Sequence, residues 1–182
     1  MKSSIHGGQE DQDRMNSPER DEQILKWMLR QVYRAEQRKK WLDERLETIN
    51  ARRNFPIMGQ SYEAVGKGGG VSDGAAEIPL KAAEIESRIY AQKAEIDASI
   101  ILVMDILDYL PIGSLERIIC EMRYIDMMKW RAISEKIPMT RSACNKYYKK
   151  AIQMLLQNSK VVEMINSHRN EYEEYFFQVG DH

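Results

Sequence analysis

The sequence predicts an all-α protein: a long antiparallel helical hairpin, packed as a coiled coil, followed by a C-terminal helix-turn-helix bundle. Two long stretches carry apolar side chains at the spacing of a helix face, and three shorter helical patterns follow Pro111. At 182 residues, with 43% hydrophobic side chains, the chain can bury a core. No run approaches the roughly 18 consecutive apolar residues of a membrane-spanning helix, so we expect no membrane association.

The first long stretch predicts one helix from Pro18 to about Arg53. Residues 1–16 are polar and without periodicity, which predicts a disordered tail. Ser17 is a suitable N-cap and Pro18 suits the first helical position. The apolar positions recur at spacings of three, four or seven and form one stripe: Leu25, Met28, Val32, Ala35, Leu42, Leu46 and Ile49.

The stretch from Gly59 to Gly74 contains six glycines and predicts a flexible linker, 59–74. A phosphate-binding loop fits less well, because Lys67 precedes glycine rather than Ser or Thr and no strand leads into the segment. A second helix should then run from about Glu77 or Pro79 to Leu110. Its stripe is nearly a heptad pattern: Ile78, Ala82, Ile85, Ile89, Gln92, Ile96, Ile100, Val103 and Leu107.

Two stripes of similar length predict that residues 17–110 fold back as a hairpin. Residues 21–55 carry nine basic and six acidic groups, net +3, and residues 56–110 carry four and nine, net −5. These opposite charges favour the pairing. The hairpin leaves apolar edges that a second copy could cover, so a homodimer through this region is a candidate assembly.

Residues 111–160 predict three short helices, which together form a helix-turn-helix pattern. Ser114 can cap a helix over 114–125, a second covers 129–137, and Thr140 can cap a third that extends to about Gln157. Cys120 and Cys144 are read as core residues. Two cysteines give no disulfide framework, which favours a reducing cytoplasm as the compartment. The histidines and cysteines lack metal-site spacing.

The overall net charge of −1 hides a basic block, because residues 111–160 carry ten basic and four acidic groups, net +6. No acid occurs from Thr140 through Lys160. A basic second helix after a tight turn is typical of proteins that read duplex DNA in the major groove. The candidate base-reading residues are Arg141, Ser142, Asn145 and Lys146. The candidate phosphate contacts are Lys129, Arg131, Thr140, Lys149 and Lys150. Trp130 is read as a core anchor rather than a platform for base stacking.

The run WRAISEKIPMTRSACNKYYKKAIQML resembles domain four of bacterial sigma factors. In that domain a hydrophobic-x-x-Ile run precedes a Thr-Arg step and a basic helix that ends in Lys-Ala-Leu. The matching positions here are Trp130, Ile133, Thr140, Arg141, Lys150, Ala151 and Ile152. The layout over about residues 20–158 resembles more closely the RinA/ArpU-type late-transcription regulators of phages that infect Gram-positive bacteria. That layout is a long helix, a GGGVSD linker, a second helix and a helix-turn-helix with an Arg-Tyr-x-x-x-x-x-Trp run.

The resemblance implies a sequence-specific DNA-binding activator of phage or prophage late or packaging genes, acting at promoters with host RNA polymerase. By the same resemblance, the four base-reading positions are those where sigma factors meet the upstream promoter element. Ser142 replaces an acidic residue and Asn145 a basic one, so we do not expect the ordinary sigma sequence to be recognised. No segment matches the sigma domain that melts promoters, so we do not expect a complete sigma factor.

Two other functions remain open at this stage. One is a terminase-like subunit that recognises DNA for packaging, although in such subunits the DNA-binding unit usually precedes the oligomerisation helices. The other is a coiled-coil adaptor whose C-terminal bundle docks protein without binding DNA. No nucleophile, base and orienting group stand together, so we expect neither enzyme activity nor a cofactor. Residues 161–182, net −4, predict an acidic aromatic tail that could form a final helix. Its paired carboxylates Glu173 and Glu174 are most simply a solvated face, and the alternative is that they contact polymerase or mask the basic helix.

Overall fold

The computed structural model describes residues 18–54 and 74–180, and within them it has eight helices and no strand. The predicted all-α class is confirmed. The helices are α1 Pro18–Leu29, α2 Gln31–Asn54, α3 Gly74–Leu107, α4 Leu115–Tyr124, α5 Trp130–Lys136, α6 Arg141–Leu156, α7 Ser159–Ser167 and α8 Arg169–Gly180. The predicted tail 1–16 and all but the last residue of the predicted linker lie outside the described residues. Among the helices described, none has the length and apolar composition needed to cross a bilayer.

The first long helix differs from its prediction, since it is interrupted at Arg30. The Arg30 backbone N–H donates to the Trp27 carbonyl at 3.2 Å, a tighter turn than an α-helix makes. The sequence has no glycine or proline near Arg30, so local helix propensity does not account for the interruption. The second long helix begins at Gly74, earlier than predicted, and contains Pro79.

The chain divides into two compact units. The terminal unit comprises Met1–Tyr33 with Ala98–His182, and the central unit comprises Arg34–Asp97. This division differs from the predicted boundary near residue 110. Its cause is that α1 and the end of α3 have their apolar side chains buried together with those of the C-terminal helices rather than in a continuous hairpin.

The larger core of the terminal unit draws on every helix except α5. Its deeply buried side chains include Leu25, Leu29, Val103, Leu107, Leu155 and Ile165, each at zero exposure. A smaller cluster joins α4, α5 and α6 through Ile119, Ile133, Ile137 and Cys144. Helices as short as seven residues are marginal alone in water, so these contacts are what hold α5 in place.

The C-terminal segment is part of this core rather than a tail. The Asn158 side chain caps α7 by accepting from the Lys160 backbone N–H at 2.9 Å. Val161, Ile165 and Tyr172 are buried beneath α7 and α8. Their spacing of four and seven residues is the sequence signal that would have identified these helices.

Two ion pairs attach α8 to α1. The Arg20 guanidinium pairs with Glu173 at 2.5 Å, and Arg169 pairs with Asp21 at 2.7 Å. The Trp27 and Tyr172 rings meet edge to face at 5.7 Å between centroids. Since Glu173 is held by α1, this carboxylate does not mask the basic helix α6 in this conformation.

The central unit contains most of α2 and the first part of α3. Arg38 of α2 pairs with Glu95 of α3. A cleft of about 480 Å³ is lined by residues 45–49 of α2 and 81–88 of α3. The N-terminal part of this α2 segment therefore lies next to the C-terminal part of this α3 segment. The C-terminal part of the α2 segment likewise lies next to the N-terminal part of the α3 segment. Within this unit the buried α3 positions all belong to the predicted stripe: Ala82, Ile89, Gln92 and Ile96. Further along α3, Ser99 and Ile106 are buried although the stripe did not include them.

Candidate nucleic-acid interface

Helix α6 presents the candidate base-reading residues, and its first turn is fixed by a cap. The Thr140 hydroxyl oxygen accepts from the Ala143 backbone N–H at 3.2 Å, as the sequence predicted. Residues 137–140 form the turn between α5 and α6. The inner face of α6 is anchored by Cys144, Ala151 and Leu155, all buried. The opposite face is consequently held towards solvent.

All four candidate base-reading residues are exposed and share that outward face. Arg141 and Asn145 lie four residues apart, as do Ser142 and Lys146, so the four form adjacent rows on the helix surface. Arg141, Ser142 and Asn145 line an open cleft of about 380 Å³ with Trp130 of α5. Lys146 is not part of that lining. The structure thus brings three of the four around a single concavity.

The five candidate phosphate contacts are all exposed, but they are not equally available. Lys149 continues the outward face of α6 beyond Asn145. Lys129 lies next to the start of α5. Arg131 donates from Nε to the Glu135 carboxylate at 2.9 Å, so part of its charge is compensated within α5. Within residues 18–54 and 74–180, Arg141, Lys146 and Lys149 have no acidic partner.

Lys150 is engaged within the protein. Its ammonium donates to the buried Glu116 carboxylate of α4 at 2.5 Å. This hydrogen bond lowers the pKa of Glu116 and raises the pKa of Lys150, since it favours the charged form of both. Lys150 therefore ties α6 to α4 and is a weaker candidate for a phosphate contact. Sequence spacing gave no signal for this pair, because its members are 34 positions apart.

Trp130 connects the cleft to the smaller core. Its ring meets Tyr148 edge to face at 5.2 Å, and the Arg123 guanidinium carbon lies 5.5 Å from its centroid. The ring is half-buried, which agrees with an anchoring role, and it also lines the cleft that contains Arg141, Ser142 and Asn145. The sequence singled out Arg123 and Trp130 only as the ends of the Arg-Tyr-x-x-x-x-x-Trp run, and it gave no sign that the guanidinium would lie against the ring.

The cysteines belong to the core, as predicted. Cys120 and Cys144 are free and buried. Burial raises the pKa of the Cys120 thiol to about 12, so almost no thiolate forms at neutral pH. Among the described side chains, no group of three His, Cys, Asp or Glu residues is placed to hold a metal ion.

Comparison with family models, with curated proteins and with solved structures finds no match to this chain.

Proposed function

We propose that this chain binds duplex DNA through α5, the turn 137–140 and α6, acting as a helix-turn-helix. We further propose that it activates transcription of phage or prophage late or packaging genes together with host RNA polymerase. The observation that carries the DNA-binding part is the outward face of α6, where the exposed cations Arg141, Lys146 and Lys149 have no acidic partner in the described part of the chain.

The packing of α4, α5 and α6 supports this assignment. Ile119, Ile133 and Cys144 come one from each helix and share the smaller core. A four-residue turn separates α5 from α6, and the capped first turn of α6 is exposed. In a helix-turn-helix these first turns are what enters the major groove.

The chemistry of the exposed face suits base edges. Arg141 and Lys146 can donate to guanine O6 and N7, Asn145 can make a bidentate contact to adenine, and Ser142 can bond either. Lys149 and Lys129 lie on either side of this set in the sequence and suit phosphates. On such a face the base-contacting residues recognise the DNA sequence, and the phosphate-contacting lysines fix the position of the protein along the duplex.

For the central unit we propose an antiparallel helical hairpin that supports a homodimer. The Arg38–Glu95 pair and the cleft lined by both helices support the antiparallel arrangement. Trp41 and Tyr90 remain largely exposed, with 60% and 78% of their surface in contact with solvent. A chain that carries a DNA-binding unit and a dimerising hairpin would bind two half-sites as a dimer, and their spacing would reflect the twofold symmetry.

The transcriptional part rests on the resemblance of residues 20–158 to RinA/ArpU-type regulators and of the α5–α6 region to sigma domain four. Fragment selection from the source genome with purified protein tests it. Enrichment of fragments upstream of late or packaging genes supports activation. Enrichment inside a packaging-site sequence instead favours the terminase-like alternative.

DNA binding itself is tested by the salt dependence of affinity for duplex DNA. Lys149→Ala should weaken binding to every sequence and reduce the log–log salt slope by about one unit. The matched control is Lys93→Ala, an exposed lysine of the central unit, which should leave the slope unchanged. Wild-type protein with no salt-sensitive affinity for duplex DNA would refute the proposal.

Sequence reading is tested separately with a selected fragment. Asn145→Ala should cost about 1–3 kcal/mol on that fragment and little on unrelated duplex. Asn170→Ala, at an exposed position of α8, is the matched control. Equal losses on both DNAs would show that Asn145 contacts the backbone rather than a base.

A further inference from the structure

A second cleft of the terminal unit lies between the α1–α2 junction and the C-terminal end of α4. It has a volume of about 250 Å³ and is lined by Arg30, Tyr33, Arg123, Tyr124 and Met127. Two of these five side chains are cationic and none is acidic. The sequence gave no indication of this site, since its residues come from segments almost a hundred positions apart.

The two arginines are prepared for an anion in different ways. Arg30 is the single residue between α1 and α2, and its side chain is exposed. In the described part of the chain it has no acidic partner. Arg123 is partly buried, and its guanidinium donates to the Met128 carbonyl at 2.9 Å. One cation is therefore free to move towards a ligand while the other is held in place.

The connection between α4 and α5 shapes the rim of this cleft. Met127 has a φ of 53°, in the left-handed region of backbone conformation that residues other than glycine rarely adopt. The next residue, Met128, donates its backbone N–H to the Met122 carbonyl at 2.9 Å and offers its own carbonyl to Arg123. The turn thus orients Arg123.

The side chains that line this cleft suit the oxygens of a phosphate group. Guanidinium groups form charge-assisted hydrogen bonds to phosphate, and their planar fork matches its geometry. Tyr33, with 54% of its surface exposed, can add a hydroxyl donor. The Tyr124 hydroxyl is already bonded to that of Tyr148 at 2.8 Å, so it forms part of the wall.

Arg123 links this cleft to the face of α6. It stands beside the Trp130 ring, and Trp130 lines the cleft that also contains Arg141 and Asn145. We infer that the Arg30–Arg123 cleft binds a backbone phosphate of the same duplex that α6 reads, which extends the interface onto the α1–α2 junction. This inference rests on the proposed DNA binding.

The test compares the full-length protein with Arg30→Gln and Arg30→Glu on a mixed-sequence duplex, between about 50 and 200 mM salt. Arg30→Gln should reduce the log–log salt slope by about one unit, and Arg30→Glu should lower affinity further. Arg88→Gln is the matched control, because Arg88 is an exposed arginine of the central unit paired with Glu84. Thermal unfolding should be unchanged in both Arg30 variants, since this side chain is exposed.

A wild-type protein that binds DNA with the usual salt dependence, and an Arg30→Gln variant with the same slope, would overturn the inference and leave the proposed function intact. A wild-type protein without salt-dependent binding would overturn both. Titration with inorganic phosphate distinguishes the source of the anion. Phosphate binding that Arg30→Gln abolishes, with an unchanged DNA slope, would assign the cleft to a free anion and overturn the duplex contact.

Discussion

The terminal and central units are both helical, but they bury their side chains in different ways. The terminal unit assembles mostly short helices around two clusters, with many side chains at zero exposure. In the central unit the buried side chains of α3 form one row at 6–9% exposure, which includes Ala82, Ile89 and Ile96, and α2 adds the small side chain of Ala35 at zero exposure. The core of the terminal unit surrounds its side chains on several sides, whereas the row of buried side chains in the central unit is covered from one side.

The polar content of the two interiors differs as well. Gln92 lies in the row of the central unit, and its Nε2 is buried without a hydrogen-bond partner among the described residues. Glu116, the buried acid of the terminal unit, is instead matched by Lys150. A polar side chain within a row of apolar ones costs stability and favours one register. Helix α6 therefore belongs to the unit whose buried acid is paired and whose core is enclosed on several sides.

The largest expected effect is that of Ile165→Ala in the terminal unit. Ile165 is fully buried in the larger core, so its truncation should lower the free energy of unfolding by about 2–5 kcal/mol. Ile96→Ala makes the same chemical change in the row of the central unit and should cost less than half as much. Urea denaturation followed by circular dichroism measures both. Equal losses would contradict the distinction between an enclosed core and a row.

The next effect is the dependence of stability on pH through Glu116. Its pKa is lowered in the folded protein, so this carboxyl stabilises the fold above its ordinary value of 4.5. The contribution is lost as the pH falls through the lower, folded-state pKa. We expect wild type to exceed Glu116→Gln in stability at neutral pH and the difference to disappear in acid. A difference that persists at low pH would exclude the charge as its cause.

A smaller effect is expected from the helix cap of α6. Thr140→Ala removes the acceptor for the Ala143 backbone N–H and should cost about 0.5–2 kcal/mol. Thr48→Ala is the control, because Thr48 lies inside α2 and its hydroxyl bonds only the Glu44 carbonyl of the preceding turn. Thermal unfolding of both variants measures the contrast. Thr140→Ser should retain most of the stability if the hydroxyl is responsible.

The smallest effect is expected from Arg38→Gln. The Arg38 and Glu95 side chains are about half exposed, and exposed ion pairs contribute about 0.2–1 kcal/mol. The effect should shrink further in high salt, because the pair is screened. A loss comparable to that of Ile165→Ala would mean that the central unit depends on charge pairing rather than on its apolar row.

Much of the secondary structure could be predicted from local signals. Ser114 and Thr140 were predicted as caps, and both accept the expected backbone hydrogen bonds. Helix α6 ends at Leu156, within one residue of its predicted end. The exposure of Arg141, Ser142, Asn145 and Lys146 followed from helical spacing alone. These features depend on residues within one or two turns of each other, which is why sequence reveals them.

What sequence could not supply depends on contacts between distant segments. Nothing local predicts the interruption at Arg30, the burial of Ile165 beside α1 or the pairing of Lys150 with Glu116. Each requires knowing which apolar faces meet. The same holds for the Arg30–Arg123 cleft, whose two cations are 93 positions apart in the sequence.

Periodicity and side-chain chemistry are local properties, so the helical class, the caps, the apolar stripes and the acid-free face of α6 could be read from the sequence. The folded chain was needed to learn that α1, the end of α3 and the C-terminal helices share one core, and which cations are paired. This is because every apolar face of the chain competes with the others for burial. Which helix faces pack together depends on how much apolar surface each pairing buries, and the apolar stripe of one helix does not reveal this.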